Sequence, residues 1–176
     1  MKNNSNYIDV VFINPSVGGN YQSLHSKYTA IEPPTWSLLL AQSMRDFGFK
    51  VSIIDVNAEN LENSEVLKRI KVLKAKLVVF VVYGQNVNAG TTNMEGSTKL
   101  SSYLKNKDSN IKIAYIGSYV QALPIRTLKE EKSIDFVFTN EGVYALKNIL
   151  KLKYINNNQL AKIKGVAFRG QNEIIQ

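Results

Sequence analysis

Cysteine is missing from all 176 positions of the chain. That absence excludes disulfides, a thiol nucleophile, zinc–thiolate sites and any iron–sulfur cluster held by this chain alone. Histidine occurs once, as His25, in a polar stretch with no carboxylate close to it in sequence. It reads as a surface loop residue, and the isolated Glu32 and Glu141 add little, so triad and general acid–base catalysis lack their parts. No apolar run approaches the roughly 18 residues that cross a bilayer. The longest, Leu77 to Tyr83, has the length of a strand. The first residues, Met1 to Asn6, are polar and hold no apolar segment of a signal peptide, so the expected location is the cytoplasm, with no membrane partner.

What is present suits one soluble domain. Apolar residues make up 44% and charged residues 20% of the chain, both ordinary values. The formal charge of +8 comes from 18 lysines and only 4 arginines, scattered along the sequence. Phosphate and base-edge recognition favours the Arg fork, so this charge reads as a solvated surface and no nucleic-acid partner is expected.

Hydrophobic periodicity divides the chain into alternating strands and helices. Ile8–Asn14 reads as a buried strand stopped by Pro15. A polar loop runs from Ser16 to about Glu32. Pro33-Pro34-Thr35 opens a helix with Trp36, Leu40, Met44 and Phe47 on one face, and Gly48 stops it. Lys50–Asp55 is a second strand. A helix capped by Asn63 or Ser64 follows, with Val66, Leu67, Ile70 and Leu73 inward. Leu77–Tyr83 is a third strand, apolar on both faces as a central parallel strand should be. A loop rich in Gly, Asn and Thr is expected from Gly84 to about Gly96, then a helix through Leu100, Tyr103 and Leu104. Ile111–Ile116, a short helix near Ile125–Glu131, the strand Ile134–Phe138 and a helix after Asn140-Glu141-Gly142 complete five β–α units.

Strict alternation implies parallel strands, right-handed crossovers and helices on both faces. The fold class is α/β, a doubly wound, flavodoxin- or Rossmann-like five-stranded parallel sheet. The remainder, through Val166–Arg169 and Ile174-Ile175, reads as a C-terminal β-hairpin. The expected division is 1–153 for the α/β domain and 154–176 for the hairpin.

Ligands of such sheets bind beyond the carboxyl ends of the strands. The loops there are small, neutral and polar: Asn14-Pro15-Ser16 after strand one, Tyr83-Gly84-Gln85-Asn86 after strand three, Gly117-Ser118-Tyr119 after strand four and Asn140-Glu141-Gly142 after strand five. They suit a large neutral ligand, and they also serve as ordinary caps and turns. A dinucleotide site would need G-x-G-x-x-G after strand one; Val17-Gly18-Gly19-Asn20 does not supply it, which leaves Asp55 as a strand-end cap. A phosphoacceptor site would need acids where Asn14 and Tyr83 stand, and no P-loop lysine motif occurs.

Several segments, in order and spacing, carry a resemblance. They are Ala30 to Trp36, Val81 to Asn86 with Thr92-Asn93-Met94, Ile116-Gly117-Ser118, Ala122 to Leu128, Asn140-Glu141-Gly142 and Lys164 to Arg169. Over nearly its whole length the chain resembles the cobalamin-binding N-terminal domain of cobalamin-dependent radical SAM proteins. The resemblance implies a sheet of order 2-1-3-4-5 with cobalamin across the strand ends, its nucleotide tail entering between the loops after strands three and four. It implies cofactor contacts at Asn14, Pro15, Tyr83, Gly84, Gln85, Asn86, Gly117, Ser118, Tyr119, Asn140, Glu141 and Gly142. The D-x-H-x-x-G motif of cobalamin mutases is missing, so no histidine of that motif would ligate cobalt. Ser118 and Asn140 stand where the family usually has glycine.

The resemblance further implies a radical SAM domain, in cis or in trans, to which this module presents cobalamin for methyl transfer or related radical chemistry. That domain's [4Fe-4S] cluster and S-adenosylmethionine would belong to it alone, since its cluster needs three thiolates. The chain is accordingly expected to be a domain of a longer enzyme or a stand-alone carrier, not catalytic by itself. Two other readings stay open at this stage. One is a flavodoxin-fold module for another planar cofactor such as a flavin; the other is a non-catalytic interaction domain.

Overall fold

A computed structural model describes residues 7–16, 31, 33–83, 87–171 and 173–176, with the side chains of 87–92 outside that description. The strands are β1 (Val10–Asn14), β2 (Val51–Asp55), β3 (Leu77–Val81), β4 (Ile113–Ile116), β5 (Phe136–Phe138), β6 (Val166–Arg169) and β7 (Ile174–Ile175). The helices are α1 (Thr35–Asp46), α2 (Asn63–Leu73), α3 (Val87–Lys107), α4 (Ser118–Ala122), α5 (Pro124–Glu130), α6 (Val143–Lys151) and α7 (Asn157–Leu160). One sheet runs in the order β2-β1-β3-β4-β5-β6-β7. Its first five strands pair in parallel, in the expected order 2-1-3-4-5.

The pleat divides the core between two faces. Val10 and Phe12 of β1 pack with Leu40, Ala41 and Met44 of α1 and Leu146 and Ile149 of α6. Val11 and Ile13, the alternate residues, pack with Val66 and Ile70 of α2, Leu104 of α3 and Leu128 of α5. β3 lies at the centre and buries all five residues, Leu77 to Val81, which explains its unbroken apolar sequence.

The hairpin differs from expectation. It does not stand apart: β6 pairs antiparallel with β5, β7 pairs antiparallel with β6, and the sheet has seven strands. Without them β5 would end the sheet as an open edge of apolar residues, a costly arrangement. Arg169 fastens β6 to the core. Its guanidinium donates to the carbonyls of Leu128 at 2.9 Å, Glu131 and Ile134, acceptors at and beyond the end of α5. A cation at a helix C-terminus complements the backbone dipole.

Four of the expected helices also depart from the sequence reading. α3 begins at Val87, so most of the Gly84–Gly96 stretch is helix and not loop. Its Gly, Asn and Thr residues have weak helix propensity, but tertiary contacts override it. Asn93 Nδ2 donates to the Tyr83 carbonyl at 2.9 Å, and Met94 and Ser97 are buried. The short helix expected near Ile125–Glu131 is two helices, α4 and α5, divided at Leu123, with Pro124 opening the second. In α1 the buried face is Ser37, Leu40, Ala41 and Met44, while Trp36 and Phe47 are 45% and 37% exposed. Trp36, in the first turn of α1, packs against Tyr83, which follows the end of β3. In α2 the cap is Glu62, one residue before the expected position. It shares a capping box with Glu65, whose carboxylate accepts from the Glu62 N–H at 3.0 Å.

Candidate functional site

The carboxyl ends of β1, β3, β4 and β5 bring most of the expected site residues to one edge of the sheet. Tyr83, two residues past β3, is the centre of that edge. Its ring stacks on Trp36 with centroids 4.4 Å apart and planes 23° from parallel. Its hydroxyl accepts from Gln121 Nε2 at 2.6 Å, and the same amide nitrogen donates to the Asn140 carbonyl at 2.8 Å. Its own carbonyl accepts from Asn93. Side chains from α1, α3 and α4 thus converge on one tyrosine and, through Gln121, reach the loop after β5. Burial raises the Tyr83 phenol above its usual range; the Gln121 hydrogen bond opposes that shift and Glu141 adds to it.

Gly117 and Gly142 are present for the protein's own packing. A Cβ on Gly117 would lie 2.1 Å from the carbonyl oxygen of Val82 and 2.4 Å from its carbonyl carbon. The chain therefore passes from β4 into α4 directly against the end of β3, as only glycine permits. Gly142 has φ +72°, and a Cβ there would lie 2.5 Å from Ile116 Cδ1. Both glycines are needed for close approaches at the ends of β3, β4 and β5.

Ser118 and Asn140 stand where the resemblance leads one to expect glycine. Asn140 Oδ1 accepts from the Gly142 N–H at 2.8 Å, closing a turn, and its amide lies so near Gly165 that a Cβ there would come within 2.5 Å of Nδ2. The Asn140 side chain is thus held against its own turn and the lead-in to β6. Ser118 is exposed at the first residue of α4, and Tyr119, beside it, is partly buried. Glu141 is exposed.

Asn14 and Pro15 sit at the far side of the edge. Asn14 Nδ2 donates to Asp55 Oδ1 at 2.9 Å, and that oxygen also accepts from the Ala58 N–H at 3.0 Å. Asp55 is the strand-end cap expected of it, and Asn14 is tied to β2; Pro15 is buried. Gly84, Gln85 and Asn86, along with His25 and Glu32, lie outside the described residues. Among the described residues no group of three or more His, Cys, Asp or Glu could hold a metal. No described helix is long and apolar enough to cross a membrane.

Sequence reasoning placed Trp36 in the core and left Gln121 and Asn93 out of the site. Trp36 sat in a matching segment, but its meaning depends on stacking against a residue from a different β–α unit. The residues present fit a large ligand with an extended ring and polar arms. Among the described residues the edge carries the Trp36–Tyr83 stack, the side chains of Ser118 and Tyr119, and the exposed carboxylate of Glu141.

A family model described as the B12 binding domain matches residues 23–150. The chain belongs to the B12-binding domain family. Cobalamin is the cofactor of that family, and the matched span holds β2 to β5 with the loops after them, α1 to α5, all but the last residue of α6 and the later part of the loop after β1. This B12-binding domain is 26% identical over 145 residues to an anaerobic magnesium-protoporphyrin IX monomethyl ester cyclase of Synechocystis sp., a match covering 82% of this chain and 28% of the cyclase. Its fold is similar to part of the cobalamin-dependent S-adenosylmethionine radical enzyme OxsB, solved with aqua-cobalamin and S-adenosylmethionine bound. There the TM-score is 0.71 and the identity 16%, over 97% of this chain and 22% of OxsB. It is similar also to the radical S-adenosylmethionine methyltransferase TsrM of Kitasatospora setae, solved with cobalamin and a [4Fe-4S] cluster. That match has TM-score 0.69 and identity 12%, over 97% of this chain and 30% of TsrM. The chain thus spans less than a third of the length of each of these proteins.

Proposed function

We propose that this B12-binding domain holds cobalamin across the carboxyl edge of its sheet and presents it to a radical SAM domain, in cis or in trans. The observation that carries the reading is the coincidence of the family match with small, polar loops gathered at the expected strand ends. In this reading Tyr83, Ser118, Tyr119, Asn140 and Glu141 bound the cofactor site, with Gly84, Gln85 and Asn86 completing the loop after β3. Gly117 and Gly142 shape the edge by letting the backbone turn against β3 and β5, and Asn14 and Pro15 close its far side. Residues 1–153 form the cofactor module, and 154–176 lead from it toward the catalytic domain. Bound cobalamin supplies a cobalt centre able to accept and donate a methyl group. The chain's own residues bind and orient it, while the cluster that starts the radical belongs to a domain with thiolates, which this chain lacks.

Mixing the purified protein with hydroxocobalamin and removing free cofactor by gel filtration tests the reading. Co-elution near one equivalent with a shifted visible spectrum is expected, and a colourless protein peak would overturn it. The aromatic stack of Trp36 and Tyr83 also suits an isoalloxazine ring; retention of flavin in place of cobalamin in the same experiment would favour that second reading.

A further inference from the structure

Trp36 is the one tryptophan of the chain. One of its ring faces is already taken by Tyr83, yet the residue remains 45% exposed. Tryptophan is highly buried on average, and water against so much indole is costly. The exposed ring is anchored at its backbone and on its inner face. Trp36 lies in the first turn of α1, next to the buried Ser37 and one turn before the buried Leu40. Tyr83 beneath it is fixed through its hydroxyl by Gln121 and through its carbonyl by Asn93. The result is a rigid, two-layer aromatic step at the strand ends, built from two β–α units and backed by a third.

Such a step meets a planar ring better than it meets a flexible chain. Tyr83, two residues past β3, would otherwise offer a ring face of its own at this edge. The structure gives that face of Tyr83 to Trp36, and leaves Trp36 as the outward layer. The first turn of α1 carries no acidic side chain that would oppose an apolar ring.

We propose that Trp36, backed by Tyr83, is the platform on which the planar ring system of the cofactor rests, and so a residue that sets cofactor affinity. The inference rests on the cobalamin reading above. It adds a contact from α1 to a site otherwise built from the loops after the strands.

The experiment separates ring from tail. Wild type, Trp36→Phe, Trp36→Leu and Trp36→Ala are titrated with hydroxocobalamin and with dicyanocobinamide, which has the ring without the nucleotide tail. Binding is followed by visible absorbance, and folding by circular dichroism and urea midpoint. Trp36→Ala is expected to weaken both ligands by at least tenfold, Trp36→Leu to weaken both similarly, and Trp36→Phe to stay within about threefold of wild type, since stacking on an aromatic face contributes more than burial alone. Equal affinity of folded Trp36→Ala and wild type would overturn the platform while leaving the cobalamin reading intact. A loss seen with hydroxocobalamin but not with dicyanocobinamide would also overturn it, because Trp36 would then touch the tail. Failure of wild type to bind either ligand would overturn the underlying reading and this inference together. Should Trp36→Ala not fold, the contrast between Trp36→Leu and Trp36→Phe decides the matter in the same way.

Discussion

The side-chain amide of Gln121 donates to the Tyr83 hydroxyl at 2.6 Å. From α4, and with a second bond to the Asn140 carbonyl, it joins the loop after β3 to the loop after β5. Neither of its partners is close to it in sequence, and no other described side chain makes that connection.

Replacing Gln121 by Ala removes both bonds and unties Tyr83. A stability loss of about 1–2 kcal/mol is expected, the scale of two neutral hydrogen bonds in a half-buried setting. Cobalamin affinity should fall as well, because Tyr83 would no longer be pinned under Trp36. Urea denaturation measures the first effect and cofactor titration the second. Unchanged affinity would show that the link serves the fold only.

Gly117→Ala should be far more damaging. The added methyl would sit 2.1 Å from the Val82 oxygen, and Val82 is itself bonded through its N–H to the Ile116 carbonyl at 2.7 Å. Val82 and Gly117 directly follow the adjoining central strands β3 and β4, so neither can readily move aside. We expect a loss above about 4 kcal/mol, in the range reserved for core disruption. Insoluble expression or a collapsed urea midpoint would report it.

Arg169→Met tests whether the hairpin is fastened to the domain by its guanidinium. Three carbonyls lose their donor, and a cost of about 3 kcal/mol is expected for losing charge-assisted bonds in a part-buried site. Arg169→Lys should recover only part of it, since an ammonium lacks the fork that spans separated acceptors. Limited proteolysis after residue 160 should speed up in the same order.

Glu131 gives the stability a pH dependence of defined sign. Burial raises its carboxyl above the ordinary value of 4.5; a Thr98 hydrogen bond opposes the shift and Glu130 adds to it. Between 4.5 and its raised value, the folded chain keeps a proton that the unfolded chain has released. Its contribution to stability therefore declines as pH rises through that window and is level above it. Glu131→Gln removes the decline. The variant's urea midpoint should exceed that of wild type at pH 7, and the gap should close toward pH 4. A gap that persists or widens on acidification would contradict the assignment.

Much of this architecture is legible in short-range pattern. Leu77 to Val81, apolar at every position, announces a strand buried on both faces, and it is the centre of the sheet. Asp55 reads as a strand-end cap and is one. The small polar loops at the strand ends are visible before any coordinate is known. The early start of α3 was not legible, because Gly, Asn and Thr have weak helical preference and the contact from Asn93 to Tyr83 that steadies the helix is tertiary. Nor could the sequence say that β6 joins β5, since hairpin signals describe the turn and not the strand it docks against.

Alternation of strand and helix periodicity, a local property with periods near 2 and 3.6, determined the fold class and the edge where the strand-end loops gather. Only the tertiary structure decided what that edge is made of. Trp36 reaches Tyr83, and Tyr83 reaches Gln121, because β1, β3 and β4 lie side by side in register and their following helices begin at one end of the sheet. Pairing of strands distant in sequence sets those neighbours, and no periodicity within a single element encodes it.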